Sequence, residues 1–275
     1  MGIKEAGIPM NLKTNPFVNL VRALSVDTIL DGSVKITQPA AGYRVAIDPI
    51  LLAAAVTLQN GMRILDVGCG VGTAGFCVLA RARKNNVMPE GLVGIDSQKL
   101  LVELAEENKI LNKFDLPIQF IHADIAAQNE LLQMQSFDHI LTNPPYLSAA
   151  SADPSPDPIK AAANVESSAD LKTWMEFCAR HLNPKGTLTM IHRADRLAEI
   201  LALIPSPEWT TDIVPLWPKQ GMAAKRVIIR AARGQSGKTR LLPGLVLHAE
   251  DGSYTPIAQD IIRAGGSLDF KAGGE

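Results

Sequence analysis

Cysteine is scarce in this sequence: Cys69, Cys77 and Cys178 are the only three among 275 residues, and none stands at CxxC or metal-ligand spacing. An odd, scattered set excludes a disulfide framework, offers no metal site, and fits a reducing cytoplasm. Long apolar runs are missing as well. No apolar core follows a basic amino-terminal start, and the most apolar stretch, Val45 to Leu58, is interrupted by Asp48 and Pro49. Neither a secretion signal nor a membrane span is expected. Met1-Gly2 opens like a myristoylation signal, but Ala6 stands where Ser or Thr is required. Net charge is also low. A formal −1 excludes a surface that is basic throughout, so any polyanion contact must come from a local patch. There is no internal repeat.

With 47% apolar and 20% charged residues, the chain is long enough for one large α/β domain with additions. From residue 63, short β-branched runs alternate with amphipathic stretches, the pattern of a parallel sheet covered by helices. Strands are expected near Arg63–Val67, Leu92–Asp96, Ile118–Ala123, His139–Thr142 and Thr187–His192, with helices near Thr73–Lys84, Gln98–Asn112, Ala169–Leu182 and Ala194–Ile204. In the second helix Leu101, Leu104, Ala105 and Leu111 recur at helical spacing, so one face docks on the sheet. Ile213–Leu216 and Arg226–Ala231 follow with no helix between them and read as an antiparallel hairpin closing the sheet. Before residue 63, Thr28–Ile36 and Tyr43–Ile47 flank Gln38-Pro39-Ala40-Ala41-Gly42 and read as a hairpin leading into a helix at Pro49–Leu58. Ser148 to Ser168, rich in Ala, Ser, Asp and Pro, reads as a mobile loop. Leu245–His248 is strand-like and precedes a turn at Asp251-Gly252.

Chemistry is concentrated at strand ends. The run Asp66-Val67-Gly68-Cys69-Gly70-Val71-Gly72 sets three alternate glycines where a buried strand turns into a helix, and only residues without a Cβ bring backbone that close to a ligand. A nicotinamide site would prefer GxGxxG, but Thr73 occupies the place of its last glycine. Asp66 would repel a pyrophosphate and draw an ammonium, directly or through water. Gly94-Ile95-Asp96 ends the next strand, and an acid there suits the two ribose hydroxyls of an adenosine, although Asp96 could equally cap the helix at Gln98. His122-Ala123-Asp124-Ile125 ends the third, with Asp124 suited to an adenine amino group and Ile125 to its ring. A fourth strand runs into Asn143-Pro144-Pro145-Tyr146. Two prolines fix φ twice and remove two N–H donors, which leaves a rigid site built to accept hydrogen bonds.

The order DVGCGVG, GID, HAD and NPPY resembles the class I methyltransferases over roughly Leu30 to Arg233. The resemblance implies a Rossmann-like, mostly parallel seven-stranded sheet with a final antiparallel hairpin, a small N-terminal hairpin and helix extension, and a C-terminal β addition. It divides the chain into 1–60, packing on the cofactor cleft, a 61–233 methyltransferase domain, and a 234–275 extension. It implies S-adenosylmethionine as cofactor, held by Asp66, Gly68, Gly70, Asp96, Ser97, Asp124, Ile125 and Asn143, with no metal. Catalysis falls to Asn143, Pro144 and Tyr146. The Asn143 oxygen and the Pro144 carbonyl would each accept one N–H of a planar amine and turn its lone pair toward the methyl, while Tyr146 offers a face for an extruded base.

NPPY is shared by methyltransferases of adenine amines, guanine amines and glutamine amides, so it names the atom type rather than the substrate. Gln38-Pro39, then Gly42-Tyr43-Arg44-Val45-Ala46-Ile47-Asp48-Pro49 and Leu51-Leu52-Ala53, is similar to the amino-terminal signature of bacterial tRNA(Val) adenine-N6 methyltransferases. That likeness implies tRNA as partner and places Arg44 and Asp48 over the cofactor pocket; a surface salt bridge is the plain alternative for these two. The chain departs from the pattern at Ala162-Ala163-Asn164-Val165, ahead of Glu166, where relatives carry bases and here only Lys160 is near. Methylation of a protein glutamine or an rRNA guanine is the runner-up, and a non-catalytic cofactor-binding or RNA-binding protein the alternative of another class. Finally, between Asp212 and Glu250 there is no acid, yet Lys219, Lys225, Arg226, Arg230, Arg233, Lys238 and Arg240 occur. This strip suits a phosphate backbone, or else is a solvated hairpin face. The oligomeric state stays open.

Overall fold

The amino-terminal hairpin forms, but earlier in the chain than the turn residues suggest. The structure, a computed structural model, describes residues 24–40, 46–127, 135–146, 169–205, 207–234, 237–268 and 270. Within these, β1 (Leu24–Ile29) pairs antiparallel with β2 (Val34–Pro39), Leu24 opposite Pro39 and Ile29 opposite Val34. The reversal between them therefore lies at Leu30-Asp31-Gly32-Ser33, inside the stretch Thr28–Ile36 expected as one strand, while Ala41 and Gly42 of the expected turn lie outside the described residues. Leu30, Asp31 and Gly32 all take positive φ (51, 49 and 87°), the hand a tight hairpin demands. Tyr43, Arg44 and Val45 lie outside the described residues, as does Ser148–Ser168. The following helix α1 (Asp48–Ala54) is shorter than Pro49–Leu58, and Arg81 donates to the carbonyls of Ala53 and Val56 at and beyond its end.

The rest is one sheet. Its strands are β3 (Arg63–Val67), β4 (Gly91–Asp96), β5 (Ile118–His122), β6 (Phe137–Thr142), β7 (Leu182–Arg193), β8 (Trp209–Lys219), β9 (Arg226–Arg233), β10 (Thr239–Leu241) and β11 (Leu245–His248). They lie in the order β10-β8-β9-β7-β6-β3-β4-β5, with β11 also on β8. The expected seven strands are β3 to β9; the C-terminal addition extends the same sheet, β10 and β11 pairing in parallel with successive parts of β8. Only β9 runs against its neighbours. Among the described residues the further helices are α2 (Thr73–Lys84), α3 (Lys99–Asn112), α4 (Leu171–His181), α5 (Leu197–Leu203) and α6 (Pro256–Gln259), the last running into a π-helical turn at Asp260–Ala264; Ala194–Arg196, expected as the start of α5, is a 3₁₀ turn.

Apolar residues fill both faces of the sheet, as parallel strands require. Along β3, Ile64 packs with α1, α2 and α3, whereas Leu65 and Val67 pack with α4 and α5. The hairpin is fastened to this body by two amides one turn apart on α3. Asn112 accepts from the Lys35 N–H and donates to its carbonyl, and Asn108 does the same at Thr37 while also donating to Val71 O at 3.0 Å. Asn108 is fully buried, so it joins the hairpin to the glycine turn.

Candidate active site

Strand order reverses at β3: β4 and β5 lie on one side, β6 and β7 on the other. The carboxyl ends of parallel strands at such a point open a crevice, because the two flanking connections leave in opposite directions. Val67 pairs with Thr142 and Asp96 with His122. Register therefore sets Asp124, Asp96, Gly68 and Asn143 along one edge, on four adjacent strand tips.

Gly68, Gly70 and Gly72 all have positive φ (71, 54 and 85°). Their turn folds over the end of β4, with Gly68 and Cys69 N–H donating to Ile95 O and Gly70 N–H to Asp96 Oδ2 at 2.8 Å. Asp96 Oδ1 accepts from Gln98 N–H, also at 2.8 Å. Asp96 thus holds the glycine turn through Gly70 and the entry to α3 through Gln98, and each of its oxygens keeps a second lone pair. Burial raises its pKa, against the lowering pull of the Gln98 and Gly70 N–H groups. Asp124 accepts from Ala126 N–H at 2.9 Å, Ile125 is half-buried beside it, and Ser97 is exposed with its carbonyl 3.0 Å from His122 Nε2. A half-buried acid beside a glycine turn, flanked by a second acid and an apolar side chain, fits an adenosine.

Asp66 is placed differently. It is buried, and its Oδ2 accepts from Gly75 N–H at 3.0 Å. Gly72, the cap residue of α2, has no side chain, so Asp66 serves the first turn in its place. Burial foremost, opposed by the Gly75 N–H and reinforced by Asp96, pushes its pKa up to about 7.

On the other side of the crevice, Trp174 Nε1 donates to Thr142 Oγ1 at 2.7 Å and Thr142 donates to Val67 O at 2.8 Å, which ties β6 to β3 just before Asn143. The indole rests on Gly68, where a Cβ would come within 2.9 Å of it. Asn143 is half-buried and Pro144 buried. The Tyr146 hydroxyl lies 2.8 Å from Asn143 Oδ1 and 2.5 Å from Asp48 Oδ2. Arg226 Nε donates to the same Asp48 oxygen at 3.2 Å, and its guanidinium stands over the Tyr146 ring at 4.4 Å. One ring face is thus taken by Arg226. His192, its pKa lowered by burial to about 4, is neutral; its Nε2 faces Pro145 O at 3.3 Å and its ring meets Tyr146 edge-on.

The family model described as a methyltransferase domain matches residues 58–211, more than half of the chain. The chain belongs to this methyltransferase family. S-adenosylmethionine is its methyl donor. The tRNA1(Val) (adenine(37)-N6)-methyltransferase of Aeromonas hydrophila is 26% identical over 219 residues, covering 77% of this chain and 85% of that one. Its counterpart from Dyadobacter fermentans is 24% identical, covering 83% and 92%. The release factor glutamine methyltransferase of Haemophilus influenzae is 27% identical over a shorter stretch, 54% of this chain and 51% of its own. Among solved structures, one described as a predicted O-methyltransferase from Agrobacterium tumefaciens shares the fold with a TM-score of 0.62 at 23% identity, covering 80% of this chain and 98% of that one.

Arg226, His192, Trp174 and Thr142 of this methyltransferase were not singled out as site residues by sequence reasoning. Arg226 appeared only as a member of the basic strip, and that strip is not a row of free cations. Arg226 binds Asp48, Arg230 and Arg240 share Asp212, Arg233 donates to Leu182 O, and Lys219 to Glu250 O. Burial works against the Asp212 carboxylate, but the two guanidiniums hold it below its ordinary pKa. Of the seven bases, Lys225 and Lys238 carry no such side-chain bond among the described residues.

Proposed function

We propose that this methyltransferase transfers a methyl group to the exocyclic N6 amine of an adenine in tRNA, in the cytoplasm. The observation that carries the reading is the position of Asn143: at the tip of β6, across the switch point from the glycine turn, in a turn made rigid by Pro144 and Pro145. S-adenosylmethionine supplies an electrophilic methyl on a sulfonium. Asp96 holds the ribose hydroxyls, Asp124 and Ile125 take the adenine, Gly68 and Gly70 let backbone approach, and Ser97 flanks Asp96. An adenine amine is a weak nucleophile because its lone pair is delocalised into the ring. The Asn143 oxygen and the Pro144 carbonyl accept its two N–H groups and favour the tetrahedral nitrogen, an interaction stronger in the transition state than before it. Asn143 has no basic site, so the proton leaves after transfer. Tyr146 packs against the acceptor base with the face that Arg226 leaves open.

The names of the Aeromonas and Dyadobacter relatives support adenine in tRNA as the acceptor. Of the amino-terminal segment, Asp48 reaches the crevice, and β10 and β11 of the carboxyl-terminal segment extend the sheet. Methylation of a protein glutamine is the second reading; it uses the same planar nitrogen and is favoured by the Haemophilus relative. Incubation with labelled methyl donor and, in parallel, total tRNA and total protein separates the two. Label in tRNA is expected; label in protein alone would move the assignment to glutamine.

A further inference from the structure

The Tyr146 hydroxyl has one proton and two oxygens within reach, Asp48 Oδ2 at 2.5 Å and Asn143 Oδ1 at 2.8 Å. We propose that Asp48 and Arg226 are positioning residues that fix the direction of the Asn143 amide through the Tyr146 hydroxyl. This inference rests on the reading of Asn143 as acceptor of the amine N–H.

Competition for the proton has a clear winner. The bond to Asp48 is in the range of about 2.5–2.7 Å typical of a hydroxyl on a carboxylate, and such bonds are roughly twice as strong as neutral ones. Arg226 donates to the same carboxylate oxygen and lays its charge over the Tyr146 ring, so the carboxylate is held in place by a second donor. Burial foremost, then Asp48, drives the Tyr146 pKa up, so the phenol keeps its proton. With that proton given to Asp48, the Tyr146 oxygen faces Asn143 with lone pairs. An amide oxygen against it would be repelled. A half-turn about χ2 brings Nδ2 there as donor, and the two amide ends are close enough in shape for the turn to cost no packing. The Asn143 carbonyl then lies on the side away from Tyr146, where it has no partner among the described residues and can accept from the amine.

Without Asp48 the hydroxyl proton passes to Asn143 and consumes the acceptor. The effect thus has a sign that lost packing would not produce. Single-turnover transfer is measured on the full chain with labelled donor, using whichever of total tRNA or total protein the wild type labels. Asp48→Ala is expected to lower the rate about tenfold or more, with cofactor affinity by calorimetry and melting temperature near wild type. Asp48→Asn, whose amide oxygen can still accept from both Tyr146 and Arg226, should recover part of the rate. Removing the misdirected proton as well, in Asp48→Ala/Tyr146→Phe, should raise the rate above that of Asp48→Ala and match Tyr146→Phe alone, a coupling read directly from the cycle. A double variant no faster than Asp48→Ala, or an Asp48→Ala enzyme with weakened cofactor binding whose rate returns to wild type at saturating cofactor, overturns the positioning role. Asn143→Ala is the control. If it is inactive while Asp48→Ala turns over normally, only the positioning fails; if it retains wild-type turnover, the reading of the site fails.

Discussion

At the scale of single residues, two carboxylates near the glycine turn have opposite constraints. Asp96 is already bonded to Gly70 and Gln98, and in its proposed role it would also accept from the ribose hydroxyls, so Asp96→Ala should weaken S-adenosylmethionine binding by about 10- to 100-fold, the loss of one or two charge-assisted bonds. Calorimetry checks this; unchanged affinity would remove Asp96 from the cofactor site. Asp66 is buried, with its pKa raised from 3.8 to about 7. The folded state therefore binds this proton more tightly than the unfolded chain does. The contribution to stability is fully present below the unfolded value and is lost as pH rises through the folded one. Asp66→Asn should flatten that part of the pH dependence of the melting temperature. A cofactor ammonium at this end of the site favours the carboxylate, so binding at a pH just below the folded value should release a proton. Equal calorimetric heats in two buffers of different ionisation enthalpy would take Asp66 out of ammonium recognition.

At the scale of elements, the parallel strands and their helices were legible because apolar runs and helical spacing are local, and β3 and α2 have the expected ends. The turn between β1 and β2 was missed because it falls inside Thr28–Ile36, which reads as one strand. Pro39 to Gly42 is a conspicuous cluster, but Asp31-Gly32 is the pair that suits a tight reversal, and Leu30 joins it at positive φ. The acidic and glycine-bearing strand tips were visible as motifs; the network on Tyr146 was not, because Arg226 reaches Asp48 across 178 positions in sequence. The basic strip was read as free charge for the same reason, since sequence shows the bases but not Asp212 among them. Asn108 is the element-scale test. Asn108→Ala leaves the Thr37 N–H without its acceptor and the Thr37 and Val71 carbonyls without their donor, in a buried place. A loss of about 2 kcal/mol or more is expected in denaturant unfolding. A loss below about 0.5 kcal/mol, the range of ordinary surface substitutions, would mean that the hairpin is held elsewhere.

At the scale of the whole molecule, one sheet with two apolar faces carries the crevice at its carboxyl edge. Cys69, Cys77 and Cys178 are all buried, and burial raises each thiol, Cys77 to about 12, so none is a thiolate at neutral pH. Among the described residues no helix is long and apolar enough to cross a membrane. What the fold supplies is a platform that brings the glycine turn and Asn143 to neighbouring strand tips, and the proposed chemistry depends on that amide. The most direct measurement is single-turnover methyl transfer to tRNA by wild type and Asn143→Ala, followed by nucleoside mass spectrometry of the product. The expected result is N6-methyladenosine from the wild type and a rate lower by about 100-fold or more in the variant, at little cost to cofactor affinity. Wild-type turnover by Asn143→Ala, or a methylated guanosine in place of N6-methyladenosine, would contradict it.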